Sequence, residues 1–451
     1  MKRGLKRIGK AILLTILVLV ALVYAPFWDT APPDVADLAV VRTEVPPEEN
    51  AYTFFLQATN ALQRNADFSF SRYLQGRTND EAAVSAYITT NQAAIAWIRR
   101  GLECKVCQAP PIGMWRRELY VWQPPFFLDL GWLLAVQTHF ERLQGRCREA
   151  TDSCLLLLRF GDRLAPASDS IVEYLCANGI VWMGLEQAEE LARDARCDAA
   201  DRERLAARLA ELSSADQGLV NAARGDYAIS VDMLKQMRNG SAYWMFAGYW
   251  TESGFNRSCL MLITRLVCYP NYFMHYNRTR HLMADKFRLL IAHASSIYAD
   301  HPLRDTGAAA ADAGAERGTS GVLSRHSQAH QSQLPFANAM GLRIRSYIEQ
   351  DYDSFVRNTC SQECALSGVR LILACRAYGE VTGRLPEALE DLVPNYLPAV
   401  PRDPFDGTPF RYSAERRLVY SVGENLVDDG GTDERQQGRR RAKDILFELE
   451  R

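Results

Sequence analysis

The longest uninterrupted apolar stretch lies at the start of the chain, where Ala11 to Trp28 carries no charge and Lys2, Arg3, Lys6, Arg7 and Lys10 precede it. At about 1.5 Å of rise per helical residue, Ile8 to Trp28 would cover roughly 30 Å, the thickness of a bilayer's hydrocarbon core. The pattern predicts an N-terminal transmembrane helix with Tyr24, Phe27 and Trp28 at the far interface. The basic cluster predicts a cytoplasmic N-terminus, hence a single-pass protein of the bacterial inner membrane with an extracytoplasmic, periplasmic body. A cleaved signal peptide begins in the same way, but here the small-residue site Val23-Tyr24-Ala25 is followed by Pro26, a poor context for processing. Residues 1–28 are therefore expected to be a cytoplasmic tip and an uncleaved anchor.

After the anchor the pattern changes twice. Residues 29–49 hold Pro32, Pro33, Pro46 and Pro47 and no helical period, which predicts a stiff, extended spacer. From residue 50 to 302 apolar positions recur at spacings of three and four, predicting a helical domain capped at its start by Asn50. Helices are expected at 51–65, 80–103, 125–144, 146–165, 168–195, 199–212, 216–237 and 272–299, with Gly145 turning one into the next and Ser168 or Asp169 capping the fifth. No repeat length is constant, so the fold class is mainly α, an irregular array of helical hairpins. The stretches 243–250 and 260–267 are the most apolar after the anchor; their Trp and Tyr would suit a dip into the membrane interface, but the lack of clustered Lys or Arg favours a buried helix and loop.

Residues 303–334 are low in complexity, a polar segment in which His326 and His330 have no third metal ligand beside them. In 335–451 a last long helix is expected to run from Tyr352 or Asn358 to Thr382, with Gly383 ending it. A short helix at 387–392 and a proline-rich loop closed at Asp403, Pro404, Asp406 and Gly407 follow. Phe410–Ser413 and Leu418–Val422 then alternate as the strands of a hairpin. The residues after Gly423 predict an acidic loop and a basic tail.

Composition fits a folded body: 48% of residues are hydrophobic and 24% charged, too apolar for a disordered stalk. The formal net charge is −2, and since the first ten residues carry five positive charges the remainder is acidic, which argues against nucleic acid as a partner. The eleven cysteines leave at least one without an intramolecular partner. Cys104 and Cys107 form a C-x-x-C between a helix end and a Pro-Pro loop, a context for a local bridge or inert thiols and not for a redox βαβ unit. Cys147, Cys154, Cys176 and Cys375 fall at core positions, and Cys259 with Cys268 is the pair best placed for another bridge.

The loop Gly423 to Asp433 (GENLVDDGGTD) is the candidate metal site. Calcium takes six to eight oxygen ligands, which Asp428, Asp429 and Asp433 with Asn425 and nearby carbonyls could supply. The spacing is not that of an EF-hand, and a solvated acidic turn is the competing reading.

The segments AYGEVTGRLPEALEDLVPNYLP, VPRDPFDGTPFRY and VYSVGENLVDDGG, spanning Leu366 to Asp433, resemble the C-terminal half of the type II secretion major pseudopilin. That resemblance implies a small α+β (pseudopilin-like) unit of long helix, proline loop, short antiparallel sheet and calcium-binding loop. The whole chain also resembles large, mostly helical, single-anchor proteins of unknown function from planctomycete-type bacteria. A pseudopilin's Phe-Thr-Leu-x-Glu start is absent from GLKRIGKAILLTILVLV, so the resemblance implies a domain fold and not a fibre subunit.

No phosphate loop, dinucleotide turn, H-E-x-x-H or G-x-S-x-G occurs in the sequence. His275 and His281 flank Asn277 and Arg278, which reads equally as a capped helix start. Two functions of different class follow: a membrane-anchored scaffold that makes protein contacts in the envelope, or an anchored hydrolase with a site between helices. The sequence favours the first.

Overall fold

Helix forms in each described segment where apolar positions recur at three and four. The computed structural model describes residues 29–64, 70–77, 80–110, 127–212, 215–238, 275–301, 352–432 and 444–449, with the isolated residue 15. The rest of the expected anchor, the stretches 243–250 and 260–267, Cys259, Cys268, His326, His330, Asp433 and nearly all of the basic tail lie outside them. Among the described residues no helix is long and apolar enough to cross a membrane.

The described chain is mainly α with one small sheet. Its helices are α1 (Ala51–Ala61), α2 (Phe70–Leu74), α3 (Glu81–Thr90), α4 (Gln92–Leu102), α5 (Phe127–Leu143), α6 (Cys147–Leu164), α7 (Ile171–Arg193), α8 (Ala199–Glu211), α9 (Ala215–Arg238), α10 (Tyr276–Ala292) and α11 (Tyr352–Thr382). Strands β1 (Arg411–Ser413), β2 (Leu418–Ser421) and β3 (Ile445–Glu448) form an antiparallel sheet in the order β1-β2-β3. The hairpin pairs Ser413 with Leu418 and Arg411 with Tyr420, and β3 pairs Phe447 with Val419. Strand β3 falls in what the sequence presents as a basic tail.

Local chemistry explains most boundaries. The Asn50 side chain accepts from the Tyr52 amide and starts α1. Gly145, at φ 72°, ends α5: its amide donates to Arg142 and the Arg146 amide to Glu141, the paired bonds of a Schellman turn. The cap of α7 is Ser170 and not Ser168 or Asp169, because the Ser170 hydroxyl accepts from the Glu173 amide while the Glu173 carboxylate accepts from the Asp169 amide. The single helix expected at 80–103 is two. Asn91, fully buried, donates to the carbonyls of Tyr87 and Gln63 and accepts from the Gln63 amide, and this side-chain bonding turns the chain between α3 and α4.

Compactness divides the chain into two units. The larger comprises residues 40–226, 290–309 and 351–451. It holds one apolar cluster around Phe55, Ile95, Ile98, Leu130, Leu133, Leu134, Leu157 and Phe160, where α1, α4, α5, α6 and α7 meet. A second cluster joins α6, α7 and α8 to α11 and the sheet through Leu158, Leu185, Leu209, Val369, Ile372, Cys375, Val419 and Phe447. The long helix α11 is thus packed into the helical body, with Phe447 lying over Gly368, where the missing Cβ lets the ring approach.

The smaller unit includes residues 29–39 and 227–289. Its proline-rich segment is docked on α10. Asp29 accepts from the Asn277 and Arg278 amides at 2.6 and 3.0 Å and so caps that helix, and a His281 ring nitrogen lies 3.0 Å from the Ala31 carbonyl. Arg288 holds Asp37 with two bonds of 2.8 Å. His275, His281, Asn277 and Arg278 therefore belong to a capped helix start.

One buried group gives the fold a pH limit. Burial beside Arg142 pushes His139 of α5 down from 6.5 to about 4, and Tyr73 packs edge-on against its ring. The unfolded chain then binds a proton that the folded one refuses. Stability should be full above pH 6.5 and fall as the pH drops from there toward 4. Denaturation of wild type and His139→Gln across that range should show the slope reduced in the variant.

Candidate functional site

Strands β1 and β2 carry the acidic loop of residues 423–432 at one edge, and the chain returns to it at Asp444. Leu426, Gly430 and Gly431 have φ of 58°, 73° and 66°, so the loop coils back on itself. Asp428 Oδ1 accepts from the Gly430 amide at 2.9 Å and from the Tyr420 hydroxyl at 3.2 Å. Asn425 Nδ2 donates to Asp429 at 3.0 Å, and Asn425 Oδ1 accepts from the Val427 amide at 3.1 Å. Asn425, Asp428 and Asp429 thus share the loop, and each carries a backbone or side-chain bond there. Asp433 lies outside the described residues.

The sequence reading missed Asp444. Its carboxylate is buried and accepts from the amides of Asp429 and Gly431, closing the loop from the far side of the basic tail. Burial raises its pKa, the two amide bonds oppose that shift, and the charges of Asp428 and Asp429 add to it. Arg416 donates to the Gly430 and Gly431 carbonyls, and Arg411 Nε lies 3.7 Å from Asp428. Nothing in a sequence marks Asp444, since ten residues that include a run of arginines separate it from Asp433.

Behind the loop sits Asp403, with no exposed surface. It accepts from the Phe405 amide (2.9 Å), the Ser421 hydroxyl (2.9 Å), the Val422 amide (3.0 Å) and the Arg411 guanidinium (3.0 Å). Burial raises its pKa against those bonds. Arg411 also pairs with Asp406, whose carboxyl is held low against its own burial by that guanidinium and by Thr408. The sequence places Asp403 in a turn; its role as the hub of the hairpin is visible only in three dimensions.

Elsewhere in the larger unit the polar interior is similarly engaged. Glu141 accepts from Ser153 at 2.6 Å and Gln137 at 2.9 Å, and Asp169 pairs with Arg42. A cavity of about 10 Å³ borders Tyr52, Glu173 and Cys176, and one of about 20 Å³ borders Asp162, Asn178 and Gln362, each the size of a water molecule. Cys104 and Cys107 lie where the loop after α4 pairs with the start of α1 through Ala51 and Val106, and burial pushes the Cys107 thiol up to about 12. Among the described residues, one set of three His, Cys, Asp or Glu side chains brings its ligand atoms within 4.8 Å of one another: Cys147, Asp194 and Cys197.

No protein-family model, curated protein or solved structure matches this chain.

Proposed function

We propose that the protein is a membrane-anchored, extracytoplasmic scaffold whose helical body makes protein contacts in the bacterial envelope. One observation carries this reading: the buried carboxylates Glu141, Asp403 and Asp444 and the half-buried Asp169 and Glu173 are each engaged in hydrogen bonds or ion pairs that shape the body itself. Groups so engaged serve architecture before acid–base chemistry. An outer face of α1 and α4 supplies contact chemistry, with Phe54 stacked on Trp97 at 6.0 Å and the Arg100 guanidinium 5.9 Å from the Phe54 ring centre. Aromatic and arginine side chains dominate the energetic centres of interfaces.

Protease added to intact spheroplasts should digest the body and leave the residues before Trp28 protected. Affinity capture of the full chain from detergent-solubilised membranes should recover a stoichiometric partner, with recovery falling about tenfold or more in a Phe54→Ala, Trp97→Ala variant. A mechanism-based hydrolase probe that labels one residue of the folded chain, with no partner recovered, would favour the anchored hydrolase instead.

The order of α11, proline loop, hairpin and acidic loop supports kinship of residues 366–433 with the pseudopilin C-terminal unit. With it we propose a weak calcium site in the acidic loop. The side-chain oxygens of Asn425, Asp428 and Asp429 are the hard donors calcium prefers, and the repulsion among Asp428, Asp429 and Asp444 is what a cation would relieve. Calcium at tenfold its Kd would stabilise the folded chain by about 1.4 kcal/mol. The full chain should melt a few degrees higher in calcium than in chelator, and Asp428→Ala with Asp429→Ala should abolish the difference. Equal melting curves for wild type would reduce the loop to an acidic turn.

A further inference from the structure

We propose that Cys147, Asp194 and Cys197 form a binding site for a borderline-soft divalent cation of the zinc class, with two thiolates and one carboxylate as protein ligands and water completing the shell. The three residues come from two places in the larger unit. Cys147 is the first residue of α6, directly after the Gly145 turn, whereas Asp194 ends α7 and Cys197 lies in the turn that leads into α8. The chain is built to hold that turn. The Asp194 amide donates to Glu190 and Leu191, the Cys197 amide to the Asp194 carbonyl at 3.2 Å, and Arg202 donates to the Cys197 carbonyl at 2.5 Å.

Both sulfurs are buried, with Cys147 and Cys197 only 7% and 3% exposed, so their ligand atoms face each other and not solvent. The three ligand atoms lie within 4.8 Å of one another. Around a tetrahedral zinc, metal–sulfur bonds of about 2.3 Å and metal–oxygen bonds of about 2.0–2.2 Å put ligand atoms roughly 3.5–3.8 Å apart. Contraction of about 1 Å, within the reach of side-chain rotation, closes the shell.

Charge favours the same occupant. Two thiolates, a carboxylate and a divalent cation leave one net negative charge, and Arg142 and Arg196, both paired with Asp194, stand beside it. Asp194 Oδ1 accepts from the Arg196 amide and Nε, and Oδ2 from its guanidinium, which orients the carboxylate. On binding, each thiol releases its proton to solvent as its sulfur takes the cation; no electrons move. The site joins the start of α6 to the α7–α8 turn across fifty residues of chain, which makes the role structural.

The test uses the full chain, stripped with chelator under a phosphine reductant and titrated with cobalt(II) chloride. A thiolate-to-cobalt charge-transfer band should grow to saturation at about one ion per chain and be displaced by zinc chloride. Cys147→Ser or Cys197→Ser should remove most of the band, Asp194→Asn should keep it with weaker binding, and Cys104→Ser with Cys107→Ser should leave it unchanged. In wild type, zinc should also slow alkylation of Cys147 and Cys197, read peptide by peptide, which holds even if a variant fails to fold. Absence of the band, its survival in both single-cysteine variants, unprotected alkylation, or recovery of the two residues as a disulfide from reduced protein would overturn the site.

Discussion

Asp403→Ala should destabilise the larger unit by about 3–5 kcal/mol, the cost of removing one partner from a buried, hydrogen-bonded charge cluster. The carboxylate is wholly buried and receives four bonds, from two backbone amides, a hydroxyl and a guanidinium. Alanine would strand the Phe405 and Val422 amides and take an acceptor from the Ser421 hydroxyl and from Arg411, which keeps its pair with Asp406. Asp403→Asn keeps the shape but turns an amide donor toward groups that are themselves donors, so it should recover only part of the loss. Because the Ser421 hydroxyl joins this cluster from the end of β2, protease sensitivity should rise in the hairpin first. Urea denaturation of the full chain followed by circular dichroism measures the difference. A loss below about 1 kcal/mol would mean that the hairpin does not depend on the cluster.

Gly225→Ala poses a question of sign. Alanine is favoured over glycine inside a helix by about 1 kcal/mol, so propensity alone predicts a stabler protein. At this position a Cβ would overlap the carbonyl of Asp169, which is backbone and cannot rotate aside. A Cβ added at Gly218, seven residues earlier on α9, would likewise lie 2.8 Å from the Tyr174 ring and 3.0 Å from the Ala165 carbonyl. The two glycines let α9 lie against the turn between α6 and α7, and filling either forces the elements apart. Overpacking of this kind costs about 1–3 kcal/mol or more, which outweighs propensity. Gly225→Ala should therefore lower the melting temperature. Gly379→Ala, where the added Cβ would meet its nearest atom at an ordinary 3.7 Å, should raise it. Opposite shifts in the two variants isolate packing from propensity.

These two sites mark where sequence reasoning stops. Helices α1 and α5 to α11 were legible because apolar spacing, Asn50 and the Gly145 and Gly383 ends are local signals, each acting within a turn or two of the residue that carries it. The β1–β2 hairpin was legible for the same reason, through alternation on both sides of a four-residue turn. Asn91 was not. Its side chain resembles any helix-surface amide until Gln63, twenty-eight residues earlier, is brought against it.

The candidate sites divide in the same way. Asn425, Asp428 and Asp429 sit on one loop because they are neighbours in the chain, so their crowding could be read directly. Asp444 joins them only after β3 pairs with β2 and the chain returns from beyond the arginines, and Arg416 reaches the loop only once the hairpin has folded. Likewise, nothing in the spacing links Cys147 to Cys197; the sequence placed the first in a core and left the second without a role. What the sequence determined by itself was most of the helices, the hairpin and the acidic loop, since propensity, capping and periodicity operate over a few residues. What the tertiary structure alone decided was which buried polar groups meet, because a charge or thiol taken out of water must find a partner, and that partner is set by packing between elements far apart in the chain.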